Sequence, residues 1–254
     1  MSDLVESLLG QLLRLQIRLF SCRERLQAAT DPEALHDLRI ALRQLGSLLR
    51  PLQQLPACAE LQQRAIALGR LSGPWRDLEV LLAYLQAQGL SPAVQARQAQ
   101  LQQGYKQLLA SAELAALFAA LDSWPELWRQ AQASGELRGL GKLIERRLAK
   151  QRRQLLRALA DPAHDRHRLR LLIKRLRYGA EAYPQLAEVS GTSLRRLKQA
   201  QAALGDWHDH WQWLLRAELE TDLQACVPAW QQAMQDAEQR ADLALQRLLE
   251  GFSI

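Results

Sequence analysis

Residues that favour β-strands are scarce in this chain. Only four of its 254 residues are Tyr and three are Phe, and β-branched residues are few beside abundant Leu, Ala, Gln, Arg and Glu. The abundant types are helix formers. Because 48% of the residues are hydrophobic, the chain can bury a core. The composition predicts an all-α globular fold.

Long apolar runs are also missing. No stretch approaches the roughly 18 uncharged apolar residues that span a bilayer, and the N-terminal segment lacks a charged stretch followed by a small-residue cleavage site. We therefore expect an intracellular, cytoplasmic protein. The three cysteines, Cys22, Cys58 and Cys226, are odd in number and far apart, which predicts buried thiols rather than disulfides or a metal site.

Sequence motifs of common enzyme classes are missing as well. The chain has no P-loop, dinucleotide-binding, nucleophile-elbow, zinc-protease or zinc-finger pattern. We therefore predict no catalytic residues, no metal site and no cofactor, and a binding protein rather than an enzyme.

Basic residues, by contrast, are in excess. The net charge is +6, and 28 of the 33 basic residues are Arg. The planar guanidinium of Arg can donate two hydrogen bonds to one phosphate group. The charge balance predicts an anionic partner.

Helix boundaries are marked by Pro, Gly and capping residues. Asp31-Pro32 and Asp161-Pro162 each predict a helix start, because Asp caps a helix and Pro suits its first turn. About five helices are predicted on either side of residues 122–138. Further boundaries are predicted at Pro51, Gly73-Pro74, Gly89 with Ser91-Pro92, Ser123 to Pro125, Ser134-Gly135, Pro184, Gly191-Thr192, Gly205 and Pro228.

The two halves of the chain repeat one another. His36, Arg39 and Arg43 recur in the second half as His167, Arg170 and Lys174, and Gly73, Trp75 and Asp77 recur at nearly the same spacing as Gly205, Trp207 and Asp209. This shared register predicts an internal duplication, with two four-helix-like bundles related by a pseudo-twofold axis. We assign residues 1–122 to the first repeat, 123–135 to a linker and 136–254 to the second repeat.

Four segments place their basic residues at helical spacing. At about 100° per residue, Arg39, Arg43 and Arg50 fall within about 40° of one another, beside the apolar face of their helix. The four cationic stripes, in chain order, are Arg14, Arg18 and Arg25; His36, Arg39, Arg43 and Arg50; Arg146, Lys150, Arg153 and Arg157; and His167, Arg170, Lys174 and Arg177.

These stripes have two interpretations. Each could be a solvated helix face, but such faces normally mix charges of both signs. The faces from His36 to Arg50 and from Arg146 to Arg157 contain no acid, although Asp37, Glu145 and Glu181 flank or terminate the stripes. Because like charges at helical spacing repel, their recurrence in both repeats favours an anion-binding role.

The motifs resemble those of the CHAD domain family, named for conserved histidines in an α-helical domain. The resemblance rests on His-x-x-Arg-x-x-x-Arg/Lys, present at His36 and at His167, each followed by a segment similar to Leu-Gly-x-x-x-Asp. That segment is complete as Leu204, Gly205 and Asp209, and begins with Ser72 in the first repeat.

This resemblance implies two helical bundles around a basic groove that binds inorganic polyphosphate, and a location at cytoplasmic polyphosphate granules of bacteria. The residues of the four stripes are then the polyphosphate-binding residues. Three positions depart from the family pattern: Gly46 replaces a basic residue, His208 replaces Arg, and Glu181 matches Arg50. The chain also lacks the ExExK strand motif of an attached triphosphate-tunnel domain, so it resembles a stand-alone binding domain.

Several other residues have open alternatives. His36 and His167 could contact phosphate or make structural hydrogen bonds, whereas Asp77 and Asp209 fit capping or ion-pair roles better than catalysis. His164 with His167 has metal-ligand spacing, but His208 and His210 would point apart on a helix. We expect the tryptophans to anchor the core: Trp75, Trp124, Trp128, Trp207, Trp211, Trp213 and Trp230.

Two other functions compete with polyphosphate binding. The same basic face could hold RNA or DNA, but stacking aromatics are not interleaved with its basic residues. A phosphate-processing enzyme, or an accessory domain of one, would need a carboxylate cluster for Mg²⁺ that the sequence does not offer.

Overall fold

A computed structural model describes residues 2–161, 163 and 165–252, and within them the chain is all-helical, with no strand. Among the described residues, no helix is both long and apolar enough to cross a membrane. The α-helices are α1 (Ser2–Ala28), α2 (Ala34–Leu49), α3 (Pro56–Leu71), α4 (Gly73–Ala87), α5 (Ser91–Leu109), α6 (Ala112–Ser134), α7 (Leu140–Leu159), α8 (Arg166–Ala182), α9 (Gly191–Ala217) and α10 (Val227–Glu250). Short 3-10 helices lie at Arg50–Leu52 and Thr221–Cys226.

The chain divides into two compact units, Met1–Ile144 and Glu145–Ile254. The boundary falls within α7. Residues 123–134, which we assigned to a linker, lie in α6, and the division into repeats of 1–122 and 136–254 stays a prediction. Five α-helices precede α6 and four follow it in the described parts of the chain.

The first unit is built on α1, α2, α3 and α6. α2 packs between α1 and α3, α6 covers α3, and α5 packs on α4. Two tryptophans anchor α6, because Trp124 and Trp128 are 1% and 0% exposed with ring centroids 4.9 Å apart. The indole Nε1 of Trp128 donates a hydrogen bond to the Val5 carbonyl at 3.3 Å, which ties α6 to the start of α1.

The second unit is a four-helix core. Apolar residues of α7, α8, α9 and α10 form one buried cluster, with Leu155, Ile173, Leu197 and Ala241 each 0% exposed. α7 lies close to α8 at Gly179, where a Cβ atom would come within 2.9 Å of the Leu148 side chain. The cluster determines the faces that α7 and α8 turn to solvent.

Most of the predicted helix boundaries are confirmed. α5 begins at Ser91, α6 ends at Ser134 before a left-handed Gly135, α9 begins at Gly191 and α10 begins next to Pro228. The three cysteines are buried free thiols, as predicted.

Other boundaries are wrong. Pro125 lies inside α6 and Gly205 inside α9, because both helices are held by buried side chains on either side of these residues. α2 begins at Ala34 rather than at Asp31, whose carboxylate accepts a hydrogen bond from the backbone N–H of Glu33. α8 is capped by Asp165, which accepts from the His167 N–H at 2.8 Å. Pro162 and His164 lie outside the described residues.

The helices of the two units correspond in part. In the register of the repeated motifs, Leu35 matches Arg166, so α2 and α8 begin within one residue of each other. α3 and α4 turn at Ser72, whereas the single helix α9 occupies the matching stretch of the second unit. The first unit has Pro74 after its glycine, where the second has Asp206, which has a backbone N–H to continue the helix.

Candidate functional site

The basic residues of α1 are partly neutralised by acids from the following segment. Arg25 donates hydrogen bonds to Asp31 and to Asp37, each at 2.9 Å, and Arg18 lies 3.6 Å from Asp37. These hydrogen bonds, first with Asp31 and then with Asp37, raise the pKa of Arg25. The first stripe is therefore of mixed sign, which the periodicity of α1 alone could not reveal. Only Arg14 of this stripe, exposed to solvent, has no acidic partner in the described residues.

Arg39 of the second stripe has a structural role. Its Nη1 donates to the Gly69 carbonyl at 2.8 Å and to the Ser72 hydroxyl at 2.9 Å, at the turn between α3 and α4. The guanidinium is half-buried, and burial lowers its pKa. His36, Arg43 and Arg50 are also half-buried. The side chains of this stripe are thus partly buried, and Arg39 stabilises the α3–α4 turn through its two hydrogen bonds; we call this arrangement the Arg39 clamp.

Arg39→Met should therefore lower the free energy of unfolding by about 1–3 kcal/mol, because the buried Ser72 hydroxyl and the Gly69 carbonyl lose their charged donor. Urea denaturation measures the change. The matched control is Arg14→Met, which removes an exposed Arg of the same unit and should leave the midpoint unchanged. Equal midpoints for Arg39→Met and the unsubstituted protein would rule out the clamp.

The α7 stripe consists of Arg146, Lys150, Arg153 and Arg157, and all four side chains are exposed. At about 100° per residue they lie about 140–200° from Leu148, whose side chain is buried in the unit. Among the described residues, none of the four forms an ion pair. They extend over about 16 Å of helix. The α7 stripe is therefore an outward-facing row of cations that form no ion pair in the described part of the chain.

The stripe on α8 is less uniform. Arg177 donates to Gln201 and to Glu181, both at 2.8 Å, and its guanidinium lies 4.1 Å from the ring centroid of Tyr178. With a side chain only 14% exposed, Arg177 joins α8 to α9. Arg170 and Lys174 are half-buried, and His167 is exposed. The side chain of Arg177 is therefore engaged by contacts within its own unit.

The prediction that all seven tryptophans anchor the core is wrong for part of the set. Trp124, Trp128 and Trp230 are buried, but Trp75 and Trp207 are half-buried and Trp211 is 38% exposed. The ring of Trp211 lies 6.2 Å from Trp207, nearly parallel to it at 11°, and 5.7 Å from His208. The i,i+4 spacing of Trp207 and Trp211 was the sequence signal for this pair. Stacking aromatics therefore do accompany basic residues in the second unit.

His208 links this aromatic group to α8. Its ring lies 5.5 Å from that of His167, and burial, followed by the charges of Arg170, His167 and Lys174, lowers the pKa of His208 to about 4. The imidazole is therefore neutral at neutral pH. His210 instead contacts Trp213 at 5.0 Å, so the two histidines do point apart. No group of three metal-ligating side chains occurs within the described residues.

The comparisons with known proteins agree with this helical architecture. A crystal structure of the CHAD domain from the plant Ricinus communis is similar, with a TM-score of 0.70 and 24% identity over 97% of this chain and 90% of that chain. PptA from Streptomyces chartreusis is similar with a TM-score of 0.55 and 20% identity, over 98% and 99% of the two chains. At these identities the likeness extends to the fold. No curated protein sequence matches the chain significantly.

The family assignment rests on the sequence itself. The model of the CHAD domain matches residues 11–220, which include all four cationic stripes and both copies of the histidine motif. The match covers more than three quarters of the chain. The chain therefore belongs to the CHAD domain family.

Proposed function

We propose that this protein binds inorganic polyphosphate through the solvent-facing cations of its stripes. The observation that carries the proposal is the α7 stripe, where four exposed cations lie on one helix face with no ion pair in the described part of the chain. Such a row costs electrostatic repulsion, and an extended polyanion relieves it by releasing condensed counterions. Its length of about 16 Å suits a chain of phosphates rather than a single ion.

The site is narrower than the full set of stripe residues predicted from the sequence. Arg146, Lys150, Arg153 and Arg157 contribute most, with Arg170 and Lys174 of the same unit as further contacts. Arg14 is an exposed cation of the first unit and does not belong to this set. The proposed roles of Arg25, Arg39 and Arg177 are structural, since each donates hydrogen bonds within its own unit. The internal duplication remains part of the proposal, supported by α2 and α8, which start within one residue of each other in the repeat register.

The proposed activity is binding without a catalytic step. The proposed location of the protein is the cytoplasmic polyphosphate granule that the family resemblance implies. Other polyanions, RNA and DNA among them, could occupy the same cations. Polyphosphate should displace bound RNA at a much lower phosphate concentration than RNA needs to displace bound polyphosphate.

Thermal denaturation with phosphates of increasing length tests the proposal. A ligand that binds only the folded state at a hundredfold excess over Kd adds about 2.7 kcal/mol, which corresponds to a rise of about 5–10 °C in Tm. Because a long chain can contact all four α7 cations at once, the rise should grow with chain length at constant total phosphate. Equal shifts from orthophosphate and long polyphosphate at matched ionic strength would indicate screening and contradict the proposal.

A further inference from the structure

The binding of polyphosphate does not explain one surface of the second unit, which is aromatic. Trp207 and Trp211 lie one turn apart on α9 with nearly parallel rings, and His208 lies between them and His167 of α8. Trp211 is exposed by 38%. A chain of phosphates has no planar apolar group that would use such a surface.

The matching position of the first unit shows how such a tryptophan is otherwise accommodated. Trp75, which matches Trp207 in the repeat register, packs against Gly104 of α5, where a Cβ atom would come within 2.4 Å of the indole ring. Trp207 instead lies nearly parallel to Trp211 of its own helix, with ring centroids 6.2 Å apart.

The position of Trp211 itself is polar in the first unit. The same register places Glu79 there, and its carboxylate pairs with Arg76 at 2.8 Å. The first unit thus fills this position with one half of an ion pair. The second unit instead presents a partly exposed indole ring at this position.

Cations lie beside this aromatic surface. Burial of the ring, followed by the charges of Arg170, His167 and Lys174, lowers the pKa of His208 to about 4, so the imidazole is uncharged at neutral pH. Its Nδ1 atom is buried and has no hydrogen-bond partner among the described residues. The second unit thus combines a neutral aromatic surface with a positive potential next to it. The complement of this combination is a ligand with a planar base and an anionic group.

We propose that Trp207, His208 and Trp211 form a binding surface for the base of a nucleoside polyphosphate, with the base stacked on Trp211 and the phosphates near Arg170 and Lys174. The inference goes beyond polyphosphate binding, which requires no base: it shares Arg170 and Lys174 with the proposed function and adds a stacking surface on α9. Base-aromatic stacking is sufficiently strong to distinguish ATP from a bare phosphate chain.

Calorimetric titration of the full chain with ATP and with tripolyphosphate tests the assignment. Tripolyphosphate is at least as anionic as ATP but has no base, so ATP should bind about tenfold more tightly. Trp211→Ala should remove this preference and leave the affinity for tripolyphosphate unchanged, and Trp211→Phe should retain part of it. The matched control is Leu215→Ala, which truncates another exposed apolar residue of α9, one turn further on.

Three outcomes would overturn the assignment. The affinities for ATP and tripolyphosphate could be equal, Trp211→Ala could weaken both affinities equally, or Leu215→Ala could lower the preference for ATP as much as Trp211→Ala does. A short 5′-triphosphorylated oligoadenylate that bound far more tightly than ATP would overturn the choice of a free nucleotide as the ligand. Long polyphosphate is titrated in parallel. Its binding should be unaffected by Trp211→Ala, so a failure here is distinguishable from a failure of the proposed function.

Discussion

Replacement of the four α7 stripe residues by Gln should weaken the binding of long polyphosphate by about 30- to 1,000-fold. Exposed charge pairs contribute about 0.5–1 kcal/mol each, so four of them amount to about 2–4 kcal/mol. The logarithm of affinity should also depend less steeply on the logarithm of salt concentration, by roughly one unit for each cation removed. Fluorescence anisotropy with labelled polyphosphate at several salt concentrations measures both changes.

A matched control removes the same charge from elsewhere. Gln replaces four exposed basic residues of the first unit that lie outside the stripes: Arg64, Lys106, Arg129 and Arg138. This variant should bind polyphosphate almost as tightly as the unsubstituted protein, because net charge alone acts over distances that salt screens. Equal weakening in the two quadruple variants would show that binding follows net charge, and the α7 stripe would have no special role.

Gly104→Ala should destabilise the first unit by about 1–3 kcal/mol, because the new methyl group collides with an existing ring. An ideal Cβ at Gly104 would lie 2.4 Å from two atoms of the Trp75 indole, closer than any non-bonded contact allows. The indole must shift, and α4 and α5 must separate or repack. The denaturation midpoint in urea measures the destabilisation.

Gly46→Ala is the matched control for this substitution. Gly46 is also inside a helix, but nothing lies within 4 Å of its ideal Cβ. Because Ala favours the helix over Gly, Gly46→Ala should stabilise the protein by up to about 1 kcal/mol. Opposite signs for the two variants are expected, and destabilisation of the same size in both would contradict the steric explanation.

The sequence was sufficient to predict the helical class and most boundaries, because Pro, Gly and capping residues act locally. It failed where a boundary depended on tertiary packing. Pro125 is tolerated inside α6 because Trp124 and Trp128 are buried on either side of it. Because the core holds the residue before Pro125 and those after it, the helix continues through this proline although proline locally favours a helix end.

The helical spacing of the basic residues could be predicted from the sequence, but their ion pairs with acidic residues could not. A helical projection placed Arg25 and Arg153 in similar stripes, yet Arg25 lies between Asp31 and Asp37 while Arg153 has no acidic partner in the described residues. The difference arises from neighbouring segments, which a single-helix pattern does not include. The exposed Trp211 was missed for the same reason, since its spacing fits a buried face equally well.

The uninterrupted α9 has a kinetic consequence. Its 27 residues form one rod of about 40 Å, without the turn that separates α3 from α4. The aromatic rings on its second half and Gln201 on its first half, which accepts a hydrogen bond from Arg177 of α8, therefore lie on one continuous helix. A ligand that meets both need not order a hinge, so little conformational entropy is lost during binding. Differences between ligands should then appear in how long each complex lasts rather than in how fast it forms.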